Sequence, residues 1–175
     1  MIQIIAIVVV VAIIALLGYA ATRPDSFRIA RSTVIAAPPE TIFALIADFH
    51  RWTAWSPWEK LDPAMSRAYG GPASGLGATY AWEGSGKAGA GRMEIIEATP
   101  PSKVTIDLAF LKPFKARNTA SFTLEPQGDA TCVTWVMAGP SPFISKLMGV
   151  VFNMDKLVGG DFETGLANLK ALAEG

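Results

Sequence analysis

The residues that the sequence lacks exclude several kinds of chemistry. Among 175 residues there is a single cysteine and a single histidine. An internal disulfide is therefore impossible, and no zinc-type ligand spacing exists. The 15 basic side chains balance the 15 acidic ones and form no basic block, which argues against nucleic acid as a partner. We expect neither a metal nor any other cofactor.

Charge is also absent from the first 22 residues, which carry no charged side chain. About 20 apolar residues at a rise of about 1.5 Å cross a bilayer core of about 30 Å, so this segment is predicted to be an uncleaved transmembrane helix. A cleaved signal peptide is the alternative, but it usually begins with a basic residue and has an apolar run of only about 7–15 residues. A buried core helix would need partners on every side.

Three arginines follow the apolar segment, at positions 23, 28 and 31, whereas no basic side chain precedes it. The positive-inside rule then places the rest of the chain in the cytoplasm of a single-pass membrane protein. The expected organisation is an anchor over 1–22, a linker over 23–27 and one domain over 28–174. A stretch of that size is long enough for one hydrophobic core.

The domain begins with a strand-like stretch over 27–37, and a helix follows over 38–50. Three of the five tryptophans come next, at 52, 55 and 58. The following sequence, up to about residue 138, reads as a run of strands separated by glycine- and proline-containing turns. In each strand one parity is apolar and the other is mixed, which is typical of an antiparallel sheet covered on one face.

The end of the chain supplies a helix that could cover the sheet. Val158, Phe162, Leu166, Leu169 and Ala173 share one helical face. Gly159, Gly160 and Gly165 are unfavourable inside a helix, so either the helix begins after Gly160 or glycine makes room for a bulky neighbour.

The stretches "IAAPPETIFALIADFHRWTAWSPWEKLDP", "GPASGLGATYAWEG", "GRMEIIEATPPSKV", "LAFLKPF" and "DFETGLANLKALAE" resemble the polyketide cyclase/dehydrase-like branch of the SRPBCC superfamily. The resemblance covers about residues 28–174. It implies an α+β helix-grip fold like that of START and pollen-allergen proteins, in which a curved antiparallel sheet wraps around a long C-terminal helix. It also implies an apolar cavity between sheet and helix, but no particular reaction, because fold alone does not fix function.

Catalytic constellations are not evident. Gly84, Gly86 and Gly89 match a dinucleotide fingerprint formally, but a strand rather than a helix follows them. His50 is predicted to be a capping or surface residue at a helix end. Glu83, Glu94 and Asp107 fall on the wet face by parity, and Glu83 is the best candidate acid if a bulge shifts its strand.

The residues expected to carry the function are therefore apolar and aromatic ones. Trp52 is expected to anchor an end wall of the sheet or to plug the core, with Trp55 and Trp58 reaching toward the cavity mouth. The predicted ligand-binding residues, each of which could instead be ordinary core, are Trp55, Trp58, Trp82, Met93, Phe110, Trp135 and Phe162.

These features predict a membrane-anchored protein that binds a small hydrophobic or amphipathic ligand, a lipid or an aromatic, polyketide-like metabolite. One alternative is a cyclase- or hydrolase-type enzyme using the same cavity, which would need a buried ionisable group there. The other is a structural or regulatory partner protein without a ligand. The sequence identifies no protein partner.

Overall fold

A computed structural model describes residues 1–86 and 88–175, and the backbone alone for Val151. Lys87, which belongs to the predicted hairpin loop around residues 84–89, lies outside the described residues. The helices are α1 (Ile2–Ala21), α2 (Pro39–Ile46), α3 (Trp52–Trp55), α4 (Phe143–Val151) and α5 (Met154–Glu174). The strands are β1 (Ser26–Ile35), β2 (Ser66–Gly70), β3 (Thr79–Glu83), β4 (Ala90–Thr99), β5 (Lys103–Lys112), β6 (Ala116–Gln127) and β7 (Ala130–Pro140).

The strands form one antiparallel sheet in the order β1-β7-β6-β5-β4-β3-β2. One face of this sheet, hereafter the concave face, packs against α2, α3 and α5. The predicted apolar parity is confirmed, because the apolar side chains that alternate along each strand form the core on this face. The predicted α+β helix-grip fold is likewise confirmed.

Helix α5 lies across the concave face and runs alongside β1. The helix includes all three glycines, and two of them allow close approach of a neighbour. A Cβ at Gly159 would lie 2.0 Å from the Arg31 guanidinium, and one at Gly165 would lie 2.8 Å from the Trp135 ring. Glycine thus makes room for bulky side chains, as one of the two alternatives predicted.

Arg31 joins β1 to the first turns of α5. Its guanidinium donates to the Asp155 carboxylate at 3.1 and 3.2 Å and to Glu163 Oε1 at 2.7 Å. These hydrogen bonds, first those to Asp155 and then that to Glu163, raise the pKa of Arg31 above its usual value. The position of α5 against the sheet is therefore fixed by ion pairing at one end as well as by apolar packing.

The predicted helix over 38–50 is shorter than expected. Helix α2 ends at Ile46, and a separate 3₁₀ turn covers Phe49–Arg51. The Asp48 carboxylate accepts a hydrogen bond from the His50 backbone N–H, which caps the new turn and replaces the continuing helix. A second 3₁₀ turn, Pro57–Lys60, follows α3 because Pro57 cannot continue it.

Helix α4 had no counterpart in the sequence interpretation. It follows β7 and contacts α1. Lys146 on α4 donates to the carboxylate of Asp25 at 2.5 Å, and the Ser141 N–H donates to the Asp25 carbonyl at 2.7 Å. These contacts hold α4 beside the short connection between α1 and β1.

Candidate ligand site

The concave face is densely filled over the half that lies farther from α1, hereafter the closed half. Its strand residues are almost inaccessible to solvent: Ile35, Ile95, Val104, Ile106, Phe122, Leu124 and Val133. Trp52 and Trp55 pack on Phe122 with ring centroids 6.1 Å apart in each case. Aromatic rings thus occupy the interior where the resemblance implied a cavity.

The three clustered tryptophans have different environments. Trp55 has 0% of its surface exposed and donates its indole N–H to the Leu45 carbonyl, so it does not reach toward a mouth as expected. Trp52 is also buried and donates to the Ile46 carbonyl, which agrees with its expected anchoring or plugging role. Trp58 is half-buried and donates to Asp161 on α5 at 3.3 Å.

Trp135 and Phe162 mark the boundary of the closed half. Their rings are stacked in parallel with centroids 4.2 Å apart, and the Trp58 ring meets Trp135 edge-on at 5.4 Å. These three rings join β7, α5 and the Pro57–Lys60 turn. They form an inner wall that separates the closed half from the rest of the concave face.

Beyond that wall lies the open half of the concave face, on the side of the sheet nearer to α1. Phe27, Trp82 and Phe110 are only partly buried there, unlike their counterparts in the closed half. Met93, Leu108 and Met137 lie between them and retain a little exposure. The open half is therefore less completely buried than the closed half, and partly buried aromatic rings lie at its edges.

Two glycines on the same face shape this surface. A Cβ at Gly91 would lie 2.3 Å from the Trp82 ring, and a Cβ at Gly139 would lie 2.2 Å from Asn118 Oδ1. The Trp82 indole consequently lies across β4, fixed by an N–H donated to the Ala88 carbonyl at 3.0 Å. Glycine here permits a close approach that any larger residue would prevent.

Two polar groups are buried in these apolar surroundings. Asn118 is 8% exposed, and among the described residues the one hydrogen bond of its side chain is a weak one, donated by Nδ2 to Met137 Sδ at 4.0 Å. The Trp135 indole N–H has no hydrogen-bond partner within the described part of the chain. Buried polar groups are normally paired, so each of these is a candidate for holding a polar atom of a ligand.

A buried carboxylate also exists, which sequence reasoning missed. Glu59 accepts hydrogen bonds from Tyr80 Oη and Arg67 Nε, both at 2.6 Å. The pKa of Tyr80 is raised well above its usual range, mainly because the ring is buried and next because its hydroxyl donates a hydrogen bond to Glu59. Both carboxylate oxygens of Glu59 are occupied, so the group is engaged in structure rather than poised for proton transfer. Its position in "PWEK" gave no periodic signal of burial.

The other candidate acids and the histidine lie at the surface, as the sequence predicted. Glu83 pairs with Lys112 at 2.7 Å and Asp107 pairs with Arg117 at 2.8 Å. Glu94 is exposed on the opposite face of the sheet. The exposed His50 ring stacks on Tyr69 with centroids 4.1 Å apart. In residues 1–86 and 88–175, no three His, Cys, Asp or Glu side chains are grouped closely enough to hold a metal ion.

Two depressions lie outside the interface between sheet and α5. One, of about 490 Å³, is lined by residues of α2 and the 74–76 loop, including Phe43 and Arg51. The other, of about 160 Å³, lies beside His50 and Tyr69. Neither includes a predicted ligand-binding residue.

A curved antiparallel sheet that packs around a long terminal helix defines the helix-grip class of ligand-binding folds. The family model described as "Polyketide cyclase / dehydrase and lipid transport" matches residues 26–174. The chain belongs to this family, within the SRPBCC superfamily. A search of curated proteins found no match.

Solved structures agree with the fold. Protein CV1439 from Chromobacterium violaceum has a TM-score of 0.60 at 16% identity, over 87% of this chain and 99% of that one. The Aha1 dimer from Colwellia psychrerythraea has a TM-score of 0.56 at 18% identity, over 85% and 96% of the two chains. The di-domain ARO/CYC protein BexL of the BE-7585A biosynthetic pathway has a TM-score of 0.64 at 14% identity, over 91% of this chain and 53% of its own.

Proposed function

We propose that the protein is a membrane-anchored binding protein for a small hydrophobic or amphipathic ligand, a lipid or an aromatic, polyketide-like metabolite. The observation that carries the proposal is the open half of the concave face, where apolar side chains surround the nearly unpaired amide of Asn118. Ligand sites commonly combine an apolar lining with a few polar groups that orient the ligand. The family description, with its mention of lipid transport, supports the same class of ligand.

In this proposal the predicted site residues have three roles. Trp82, Met93 and Phe110 contact the ligand from the sheet, and Trp58 contacts it from the turn after α3. Trp135 and Phe162 form the inner wall, where the indole N–H of Trp135, which has no partner among the described residues, offers a second polar contact. Trp55 acts indirectly, because its fully buried ring supports that wall through Trp135 at 5.7 Å.

Anchoring rests on α1. Its 20 residues have a mean hydropathy of 3.0 over the best window, and almost all of it is exposed. Tyr19 and Arg23 stack at its C-terminal end, 5.2 Å from guanidinium carbon to ring centroid, as is typical of a membrane–water interface. The proposed organisation keeps the anchor over 1–22, the linker over 23–27 and the binding domain over 28–174, with the domain in the cytoplasm.

An enzyme of the cyclase type would use the same surface. It would need an acid or base there, and the nearest buried carboxylate, Glu59, is already occupied by Arg67 and Tyr80. Binding without reaction is therefore the function that the geometry supports better.

Photoaffinity labelling of the full-length chain in lipid vesicles tests the proposal. A diazirine-bearing fatty acid should label peptides of β5 and β7, as mapped by mass spectrometry. Met137→Trp, which fills the open half, should reduce that labelling several-fold. Val136→Trp, on the opposite face of the same strand, is the matched control and should leave it unchanged. Equal labelling in both variants would contradict the proposed site.

A further inference from the structure

The end of the sheet nearest α1, hereafter the anchor end, collects several chain segments. The strand register brings together the start of β1, the end of β7, the β5–β6 turn and the β3–β4 loop. Helix α4 begins three residues after β7 and contacts α1. The segments at this end that lie nearest to the C-terminal end of the predicted membrane span are the start of β1, the end of β7 and α4.

The anchor end exposes an unusual amount of large apolar surface. Phe114, at the tip of the β5–β6 turn, is 79% exposed, and Leu111 beside it is also exposed. Six further exposed apolar side chains come from α4, the link that follows it and the start of α5: Phe143, Ile144, Met148, Phe152, Met154 and Leu157. Exposed apolar side chains that collect at one end of a domain in this way commonly mark an interaction site.

The opposite end of the sheet has different chemistry. Its turns contain Pro100-Pro101 and Gln127-Gly128-Asp129, and α5 ends there with Glu174. Fewer large apolar side chains are exposed at that end, Leu76 and Leu172 among them, so exposed apolar surface is concentrated at the anchor end. Lys112 and Lys115 flank Phe114, a combination of basic and aromatic side chains that suits a lipid headgroup region.

We propose that the anchor end lies on the lipid bilayer, with α4 and the β5–β6 turn inserted at the interface, so that the open half of the concave face exchanges its ligand directly with the membrane. The bilayer is the occupant because the surface is continuous with α1. Asp25, just after the end of α1, accepts hydrogen bonds from Lys146 of α4 and from the Ser141 N–H. These hydrogen bonds hold α4 beside the end of α1. The inference rests on the proposed anchor and ligand site, and extends them to a docked orientation.

Site-specific fluorescence of the full-length chain in vesicles tests this orientation. Cys132→Ser removes the only cysteine. Single cysteines are then introduced as Phe114→Cys or Met148→Cys and labelled with nitrobenzoxadiazole. Both labels should show blue-shifted emission that doxyl-labelled phosphatidylcholine quenches. Leu76→Cys, 62% exposed and remote from the anchor end, is the control and should remain in water without quenching.

A label at Ile7→Cys, inside α1, separates failure of the inference from failure of the anchor. Quenching at position 7 without quenching at 114 and 148 would leave the anchor in place and overturn the docked orientation. Quenching at 114 and 148 alone would support docking and contradict the transmembrane assignment. Shielding at 114 and 148 that lipid quenchers do not reach would assign the surface to a protein partner or a second copy, and would overturn the inference.

Ligand exchange provides the second test. Replacing Ile144 and Met148 by Asp should slow photolabelling from vesicle-borne fatty acid about tenfold or more, because each change removes an apolar side chain from the membrane. Labelling by the same probe added from detergent solution should be unchanged, since the open half is intact. Equal loss in both assays would show damage to the ligand site instead.

Discussion

The closed and open halves of the concave face are built from the same strands, yet they are filled differently. In the closed half, Trp52 and Trp55 each pack on Phe122 and donate their N–H groups to carbonyls of α2. In the open half, Trp82 and Phe110 meet only edge-on at 6.0 Å and keep part of their surface exposed. Similar residue types thus serve stability at one end and, in the proposed function, recognition at the other.

The largest expected effect distinguishes two neighbouring tryptophans. Trp55→Ala should reduce the free energy of unfolding by about 3–5 kcal/mol, because a fully buried ring is lost. Trp58→Ala should cost clearly less, because that ring is only half-buried, and should weaken fatty-acid labelling. Chemical unfolding of the full chain, followed by near-ultraviolet circular dichroism, measures the free energy of unfolding of each variant. The photolabelling assay compares their fatty-acid binding. Equal destabilisation with unchanged labelling would remove the distinction between the halves.

The next effect concerns the Glu59 cluster and depends on pH. Tyr80→Phe should cost about 1.5–3 kcal/mol at neutral pH, since a hydrogen bond to a charged group is lost. The pKa of Tyr80 is raised in the folded state, so its contribution is complete below the unfolded value of about 10 and declines as pH rises above that value. Unfolding measured between pH 7 and 11 should therefore show the difference between variant and wild type narrowing. If the difference in free energy of unfolding stayed constant over this pH range, the assigned hydrogen bond from the Tyr80 hydroxyl to the Glu59 carboxylate would be contradicted.

A smaller effect compares two glycines of α5. Gly165→Ala should cost about 1–3 kcal/mol, because the new methyl group would meet the Trp135 ring and Pro57. Gly160→Ala is the matched control: its Cβ would meet nothing within 4 Å, so the variant should gain up to about 1 kcal/mol. Thermal unfolding of both variants measures the difference. A destabilised Gly160→Ala would mean that glycine serves backbone conformation rather than side-chain space.

The smallest effect on stability concerns Asn118. Asn118→Leu should change the free energy of unfolding by less than about 1 kcal/mol or even raise it, because a poorly paired buried amide is replaced by an apolar group of similar size. Binding of a fatty acid should weaken, whereas binding of a hydrocarbon without a polar head should not. Isothermal titration with the two ligands tests this, and equal weakening would indicate a merely structural change.

Much of the fold could be predicted because its signals are local. Strand parity placed Val104, Ile106 and Leu108 on the covered face, and helical spacing placed Phe162, Leu166 and Leu169 against it. The family resemblance supplied the topology, which periodicity alone does not determine. For the glycines of α5 the sequence predicted room for a bulky neighbour as one alternative. The structure identifies such neighbours as Arg31 and Trp135, which are distant in sequence.

The features that the sequence did not reveal depend on tertiary contacts. Burial of Glu59 is compensated by Arg67 and Tyr80, which lie eight and 21 residues further along the chain, on strands β2 and β3. The complete burial of Trp55 follows from rings contributed by β6 and β7. Helix α4 was missed because its apolar residues face outward beside α1, whereas an apolar pattern is normally interpreted as a core-facing stripe.

The pairing of β1 with β7 has a mechanical consequence. Only four residues separate α1 from β1, and β1 pairs with β7 through ten consecutive residue positions. If α1 spans a membrane as proposed, a pulling force applied through it would enter along the axis of β1 and load these hydrogen bonds together in shear, rather than open them one after another. Arg31, clamped between Asp155 and Glu163, would pass part of that load to α5. The proposed tether would thus join the domain at a point suited to bearing tension.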